Sequence, residues 1–198
     1  MIPPRPERFF AAVRSGLLGP ELSQTEADGC KAILEACAGW PLSWTAYGLA
    51  TAYHETAHTM QPVVEIGGAA YFTRMYDPAG LRPAVAARLG NTEAGDGCRF
   101  CGRGYVQLTG RANYARAGLL DEPERALEPA LAAEILARGM RDGWFSGRRL
   151  ADVLPLGGRA TRAQFVAARR IVNGQDRASL IADYALRFQD ALLAGGCA

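Results

Sequence analysis

The chain has 198 residues, a length that suits one compact domain, with or without two lobes around a cleft. Apolar residues make up 49% of it and charged residues 21%, which argues against disordered and fibrous proteins. No apolar run reaches the roughly 18–20 residues that span a bilayer. The N-terminal stretch lacks the apolar core and cleavage site of a secretory signal peptide, so we expect folding in the cytoplasm and another route to any extracellular substrate.

The net charge is only +2, but the basic residues are unevenly distributed. Residues 141–177 contain eight arginines and three acidic residues, which are Asp142, Asp152 and Asp176. Two interpretations remain open: a basic surface for an anionic polymer such as nucleic acid or cell wall, or an ordinary solvated helix surface. The arginines are Arg141, Arg148, Arg149, Arg159, Arg162, Arg169, Arg170 and Arg177.

The first half of the chain predicts two helices. A capping box at Ser23–Glu26 begins a helix over about residues 23–38, in which Cys30 and Cys37 lie two turns apart on one face and are expected in the core. With an odd number of cysteines and no export signal, a disulfide framework is not expected. Ser43 can cap a second helix that runs to about Met60.

Between residues 65 and 110 glycine and turn signals are dense, and such a long loop region within a compact domain is often functional. The remaining chain is again helical. Pro129 fits the first turn of one helix, a capping box at Thr161–Gln164 opens another that continues through Val172, and Asp176 can cap the last. No linker marks a second module, so residues 1–198 are predicted to form a single, mainly α-helical domain.

His54, Glu55 and His58 match the H-E-x-x-H pattern of zinc peptidases, in which two histidines share a helix face and the glutamate acts as a base. These are the only two histidines in the chain, and Glu65 follows too closely to be the third zinc ligand on a long second helix. The zinc interpretation also leaves the downstream loops unexplained. A zinc peptidase is therefore the second alternative, and no metal or other cofactor is expected.

The same helix also suits a glycosidase. Trp44, Gly48, Thr51 and Glu55 recur at spacings of four, three and four, so they share a face that could form the floor of a groove under Glu55. Glycoside hydrolysis needs two carboxyl groups on either side of the scissile bond. Glu65 lies just past the predicted helix, and its competitors for the second role are Asp77, Glu93 and Asp96.

Several stretches combine into a specific pattern. They are Ala50-Thr51-Ala52-Tyr53-His54-Glu55-Thr56-Ala57, Leu89-Gly90-Asn91-Thr92, Gly102-Arg103-Gly104-Tyr105-Val106-Gln107-Leu108-Thr109-Gly110-Arg111 and Arg170-Ile171-Val172-Asn173-Gly174. Together they resemble glycoside hydrolase family 19, and especially its compact bacteriophage and prophage endolysins. The resemblance extends from about Phe9 to about Leu193.

The resemblance implies a lysozyme-like, two-lobed helical fold and inverting hydrolysis of β-1,4 bonds in peptidoglycan without a metal. Position by position, Glu55 corresponds to the general acid, Glu65 to the second carboxylate, and Thr109 to a residue that holds the attacking water. Substrate contacts are expected from Gln107, Asn173, Tyr105, Arg103 and His54, and Arg103 and Arg177 could also hold carboxylates in their charged form.

The resemblance further implies a monomer that binds the cell wall but neither nucleic acid nor, stably, a membrane. It would stay in the host cytoplasm until released to the wall. Two departures stand out: His58 occupies a position expected to vary, and Cys98 and Cys101 stand where basic residues are common. The cysteines could form a labile bridge, join His58 in a metal site, or be simple replacements. A chitinase and a binding-only wall protein remain alternatives.

Overall fold

The computed structural model describes residues 2–19 and 21–198, and in these the protein is mainly helical, as predicted. The α-helices are α1 (Pro6–Val13), α2 (Gln24–Ala36), α3 (Leu42–Glu55), α4 (Ala69–Tyr76), α5 (Pro83–Leu89), α6 (Asp96–Arg99), α7 (Arg111–Ala117), α8 (Pro129–Asp142), α9 (Arg162–Ala168) and α10 (Ala178–Ala194). Short 3₁₀ turns cover Pro123–Leu127, Leu150–Asp152 and Arg169–Ile171, and a π turn covers Arg14–Leu18. Two short strands, β1 (Val63–Val64) and β2 (Arg103–Gly104), pair in antiparallel fashion.

The main core surrounds α3. Helix α10 packs against α1, α3 and α9, while α2 packs against α8. Every residue of α3 from Leu42 to Tyr53 is buried, because this helix is enclosed by neighbours on all sides. The face of Trp44, Gly48 and Thr51 is therefore part of the core. Even a Cβ atom added to Gly48 would contact Leu136, so the prediction that this face forms the floor of a groove is wrong.

A second set of packed helices is built from the glycine-rich region. Helix α4 packs against α5 and α6, and α5 packs against α7. Its buried residues include Phe72 and Ala86, which do not belong to the main core cluster. The strand pair β1–β2 ties the start of this region to the segment that follows α6.

The local sequence signals predict some helix starts correctly and others wrongly. Both capping boxes form, at Ser23 and at Thr161, and Pro129 stands in the first turn of α8. Ser43 does not cap α3, since the N-cap is Pro41 and the Ser43 hydroxyl donates to a backbone carbonyl 112 residues away. The cap predicted before the last helix is wrong too, because the N-cap of α10 is a residue in the left-handed conformation with no side-chain cap bond.

Helix α3 ends at Glu55, five residues earlier than the helical pattern predicts. The Thr56 hydroxyl donates to the carbonyl of Ala52 and accepts from the Met60 amide, which folds the chain back on itself. Three residues of this turn have positive φ angles, at 50° for Ala57, 74° for His58 and 53° for Met60. A helix cannot continue through such a segment.

The turn after α3 is held against α2 by a close backbone approach. A Cβ atom on Gly29 of α2 would lie only 1.7 Å from the carbonyl oxygen of Met60. Only glycine fits here. The turn is therefore fixed at Met60 on one side and by β1 on the other.

None of the helices within residues 2–19 and 21–198 is long and apolar enough to cross a membrane.

Candidate active-site pocket

An open pocket with a volume of about 780 Å³ collects five of the eight predicted site residues. They come from the end of α3, the residue after β1, the segment between β2 and α7, and the loop before α10. The five are Glu55, Glu65, Gln107, Thr109 and Asn173. Residues spread over more than 110 positions of the sequence therefore meet at one surface.

Glu55 is held by a buried arginine. Its Oε1 accepts a hydrogen bond from Nη1 of Arg169 at 2.7 Å, and the Arg169 side chain is only 2% exposed. Arg169 also donates from Nε to the carbonyl of Asp176 at 3.0 Å, so the guanidinium is fixed from two directions. In the part of the chain that is described, Oε2 of Glu55 has no hydrogen-bond partner, which leaves this oxygen for a ligand.

Glu65 accepts one hydrogen bond on each carboxyl oxygen. The Tyr76 hydroxyl donates to Oε1 at 2.7 Å, and the Gly102 amide donates to Oε2 at 3.1 Å. Burial and then the neighbouring Glu65 raise the pKa of Tyr76, so this phenol remains a donor. Both carboxyl oxygens of Glu65 are therefore held by donors from two different segments of the chain.

The strand pair fixes the loop that carries Glu65. Val63 pairs with Gly104 and Val64 with Arg103, and the Glu65 amide extends the pairing to the carbonyl of Gly102 at 2.8 Å. A Cβ atom at position 102 would lie 2.7 Å from Oε1 of Gln107 and 3.0 Å from Oε2 of Glu65, so a side chain here would displace both pocket residues.

Gln107 and Thr109 lie in a tight turn directly beside this pair. Gln107 has a φ angle of 53°, and its side-chain amide donates to the Val63 carbonyl at 3.2 Å. The Thr109 hydroxyl donates to the Gln107 carbonyl at 2.8 Å, so its oxygen lone pairs remain able to accept from water. Asn113 of α7 donates to the Thr109 carbonyl at 3.0 Å and also lines the pocket.

Asn173 lines the pocket from an exposed loop. Its amide bonds the Arg169 carbonyl at 3.0 Å, and its side-chain oxygen accepts from the Gly174 amide at 2.8 Å. The side-chain NH₂ is left for other partners. Ser146 supports this loop by donating toward the carbonyls of Arg170 and Ile171.

Three predicted substrate contacts lie outside the pocket. Tyr105 is fully buried, and burial raises the pKa of its phenol, so it belongs to the core. Arg103 bonds the Arg99 carbonyl and the Tyr114 hydroxyl, and so it holds backbone and core groups rather than a carboxylate. His54 is partly buried, and burial lowers the pKa of its imidazole.

The competitors of Glu65 have structural partners elsewhere. Asp77 is buried and accepts from the amides of Gly95 and Gly97. Asp96 is buried and paired with Arg111 at 2.7 Å. Burial alone would raise the pKa of Asp96, but Arg111 and two backbone amides outweigh it and hold the pKa below its usual value.

Glu93 is the third competitor, and it is a surface residue. Its side chain is 71% exposed and pairs with Arg111 at 2.9 Å. Like Asp77 and Asp96, it is not among the residues that line the pocket. Glu65 is therefore the carboxylate that shares the pocket with Glu55.

The geometry does not favour the zinc alternative. Because α3 ends at Glu55, His58 does not lie on the helix and shares no helix face with His54. The His58 ring instead stacks on Tyr53 at 4.3 Å and meets the Tyr184 hydroxyl at 3.2 Å. Within residues 2–19 and 21–198, no three His, Cys, Asp or Glu side chains are grouped as metal ligands.

The cysteines divide into core and loop positions. Cys30 and Cys37 are buried as predicted, and burial raises the pKa of each to about 12. Cys98 and Cys101 are not joined by a disulfide. The Cys98 thiol donates to the Ala69 carbonyl at 3.3 Å, while Cys101 is buried and burial raises its pKa.

The arginine-rich segment does not form a continuous basic surface. Five of its eight arginines are paired with carboxylates: Arg141 with Asp142, Arg149 with Asp152, Arg159 with Asp190, Arg162 with Asp183 and Arg169 with Glu55. Most of these pairs are exposed. The interpretation as an ordinary solvated helix surface fits these contacts better than a dedicated polymer-binding patch.

The sequence did not reveal four residues of the pocket region. In the sequence, Arg169 stands out only as one of the eight arginines of residues 141–177, and the partners expected for the carboxylates are Arg103 and Arg177. Tyr76, Arg82 and Arg88 line the pocket without belonging to a recognised motif. The sequence indicates Tyr76, Arg82 and Arg88 only through their location in the glycine-rich region between residues 65 and 110.

Comparison with protein-family models, with curated proteins and with solved structures found no match to this chain. The case for a function is therefore carried by the residues of the pocket.

Proposed function

We propose that the protein is a glycoside hydrolase that cleaves β-1,4 bonds in the glycan strands of peptidoglycan with inversion. The observation that carries the proposal is that Glu55 and Glu65, from separate segments, line one pocket together with Gln107, Thr109 and Asn173. Two carboxyl groups with different hydrogen-bond environments are the arrangement that glycoside hydrolysis needs.

In the proposed reaction Glu55 is the acid and Glu65 the base. Arg169 holds Oε1 of Glu55, so it is Oε2 that takes up a proton from solvent and then passes it to the glycosidic oxygen as the C–O bond breaks. A water molecule attacks the anomeric carbon from the opposite face and gives its proton to Glu65. Thr109 accepts a hydrogen bond from this water. Exchange with solvent then returns the proton to Glu55 and removes it from Glu65.

The proposal includes a two-lobed, lysozyme-like arrangement. It is supported by the two sets of packed helices, since α5 contributes pocket residues from one set and the end of α3 contributes Glu55 from the other. The enzyme would remain in the host cytoplasm until it is released to the cell wall, where it would act as a monomer.

The decisive test is Glu55→Gln, measured as release of reducing ends from purified cell walls. An acid/base residue contributes on the order of 100- to 10,000-fold, so nearly all activity should be lost. The matched control is Glu93→Gln, which removes the same charge outside the pocket and should keep wild-type turnover. Normal activity of a folded Glu55→Gln protein would refute the assignment. A β-to-α change in the anomeric product, followed by NMR, would establish inversion.

A chitinase is the second candidate, because the same pair of carboxylates would cut a chemically related polymer. Turnover of chitin oligomers against that of peptidoglycan separates the two. A strong chelator should leave activity unchanged, whereas a zinc peptidase would lose it. A binding-only wall protein would sediment with cell walls and release no reducing ends.

A further inference from the structure

Two arginines line the pocket beside the carboxylates and are not used by them. Arg82 and Arg88 are both exposed, and within residues 2–19 and 21–198 neither has an acidic partner. Glu55 is already paired with Arg169, and the oxygens of Glu65 are occupied by Tyr76 and a backbone amide. The positive charges of Arg82 and Arg88 are therefore available to a ligand.

The two arginines stand at opposite ends of α5. Arg82 immediately precedes the helix and Arg88 lies in its last turn, so they are separated by about 9 Å along the helix axis. Val85 lies between them and Leu89 lies one turn after Val85, directly after Arg88, and both contribute apolar surface to the same pocket. One wall of the pocket thus offers two cationic groups with apolar surface between them.

This wall suits a sugar polymer that carries both carboxylates and methyl groups. Chitin consists of neutral sugars, whereas every second sugar of peptidoglycan carries a lactyl ether with a carboxyl group, free or joined to a peptide that has carboxylates of its own. Guanidinium groups bind carboxylates with paired hydrogen bonds. Apolar side chains can pack against the methyl of the lactyl or acetyl group.

We propose that Arg82 and Arg88 bind carboxylates of the peptidoglycan strand and give the enzyme its preference for this anionic polymer over neutral chitin. The inference rests on the proposed hydrolase function and adds the residues that would select its anionic substrate. Each exposed ion pair is worth up to about fivefold in binding, so losing both should lower kcat/KM on anionic glycan by roughly tenfold.

The test compares the double variant Arg82→Gln/Arg88→Gln with the wild type on three substrates. They are intact peptidoglycan, the glycan after its peptides are removed so that the lactyl carboxylates are free, and the same glycan after these carboxylates are converted to amides. The control, Arg8→Gln/Arg74→Gln, removes two exposed charges outside the pocket. Turnover and equilibrium binding to each substrate are both measured.

We expect the double variant to lose about tenfold on an anionic substrate and to match the wild type on the amidated glycan. A loss on both anionic substrates identifies the lactyl carboxylate, and a loss on intact peptidoglycan alone identifies the peptide. An equal loss on all three substrates, no loss on any, or the same loss in the control would overturn the inference. If the wild type cleaves none of them, the proposed hydrolysis fails, while the binding ratios still decide the role of the arginines.

Discussion

Replacing Arg169 by glutamine should destabilise the protein far more than the loss of a surface ion pair. Its side chain is 2% exposed and that of Glu55 is 17% exposed, with 2.7 Å between the paired atoms. Removing one partner of a buried pair leaves the other charge without compensation and costs about 3–5 kcal/mol. Since Glu55 reaches the pocket, we expect the lower end, about 3 kcal/mol, or a Tm about 6–12 °C lower.

The measurement is a double-mutant cycle of Arg169→Gln and Glu55→Gln in urea unfolding. Glu55→Gln alone leaves the more deeply buried Arg169 charge without its partner and should also cost about 3 kcal/mol, and the two variants combined about 4 kcal/mol, which gives a coupling of about 2 kcal/mol. The control is Arg162→Gln. This arginine pairs with Asp183 at the same 2.7 Å but is 51% exposed, so its loss should cost less than about 1 kcal/mol. Strictly additive costs for Arg169 and Glu55 would refute the reasoning.

Three further predictions concern the support of the pocket. Gly102→Ala places a Cβ 2.7 Å from Oε1 of Gln107 and 3.0 Å from Oε2 of Glu65, so both side chains must shift and kcat should fall about tenfold. Gly68→Ala, with nothing within 4 Å, should keep wild-type kcat. Tyr76→Phe removes a donor to the Glu65 carboxyl group, so kcat should fall about tenfold and the free energy of unfolding by about 1–2 kcal/mol. An equal rise in KM with constant kcat would contradict this. The pKa of Asp96 is lower in the folded protein than in the unfolded chain, where it is about 3.9. The ionised carboxylate therefore stabilises the fold at a pH above the unfolded pKa, and this stability is lost as the pH falls through the folded pKa. The stability deficit of Asp96→Asn should therefore be largest near pH 7 and shrink on acidification; a deficit independent of pH would count against it.

The features of the fold that depend only on residues close together in the sequence were predicted best. The capping boxes at Ser23 and Thr161 form because every atom they need lies within four residues. The end of α3 was predicted wrongly, since the positive φ angles at Ala57 and His58 depend on packing against a distant helix. In the sequence, the apolar and small residues before Glu55 are equally consistent with the floor of a groove and with a helix buried in the core.

The site shows the same division. Glu55 and Glu65 both line one pocket, because the strand pair and the helix end bring them to the same surface. Arg169 was missed as the partner of Glu55, since 114 residues separate them and no periodic pattern connects the two. Tyr105 was expected at the substrate but is buried, because the turn at 104–107 points this ring inward while Gln107 remains at the pocket.

The close contact between Gly29 and Met60 means that the proposed reaction would also depend on α2, a helix that contributes no residue to the pocket. Glu55 and Glu65 are joined by a segment that is pressed against α2 at one point and paired with β2 at another. A single methyl group at position 29 would have to displace the Met60 backbone, and this displacement would be passed to the spacing of the two carboxylates. A mutational screen for lost activity should therefore find position 29 among its strongest hits, and inhibitor design that considers the pocket alone would overlook it.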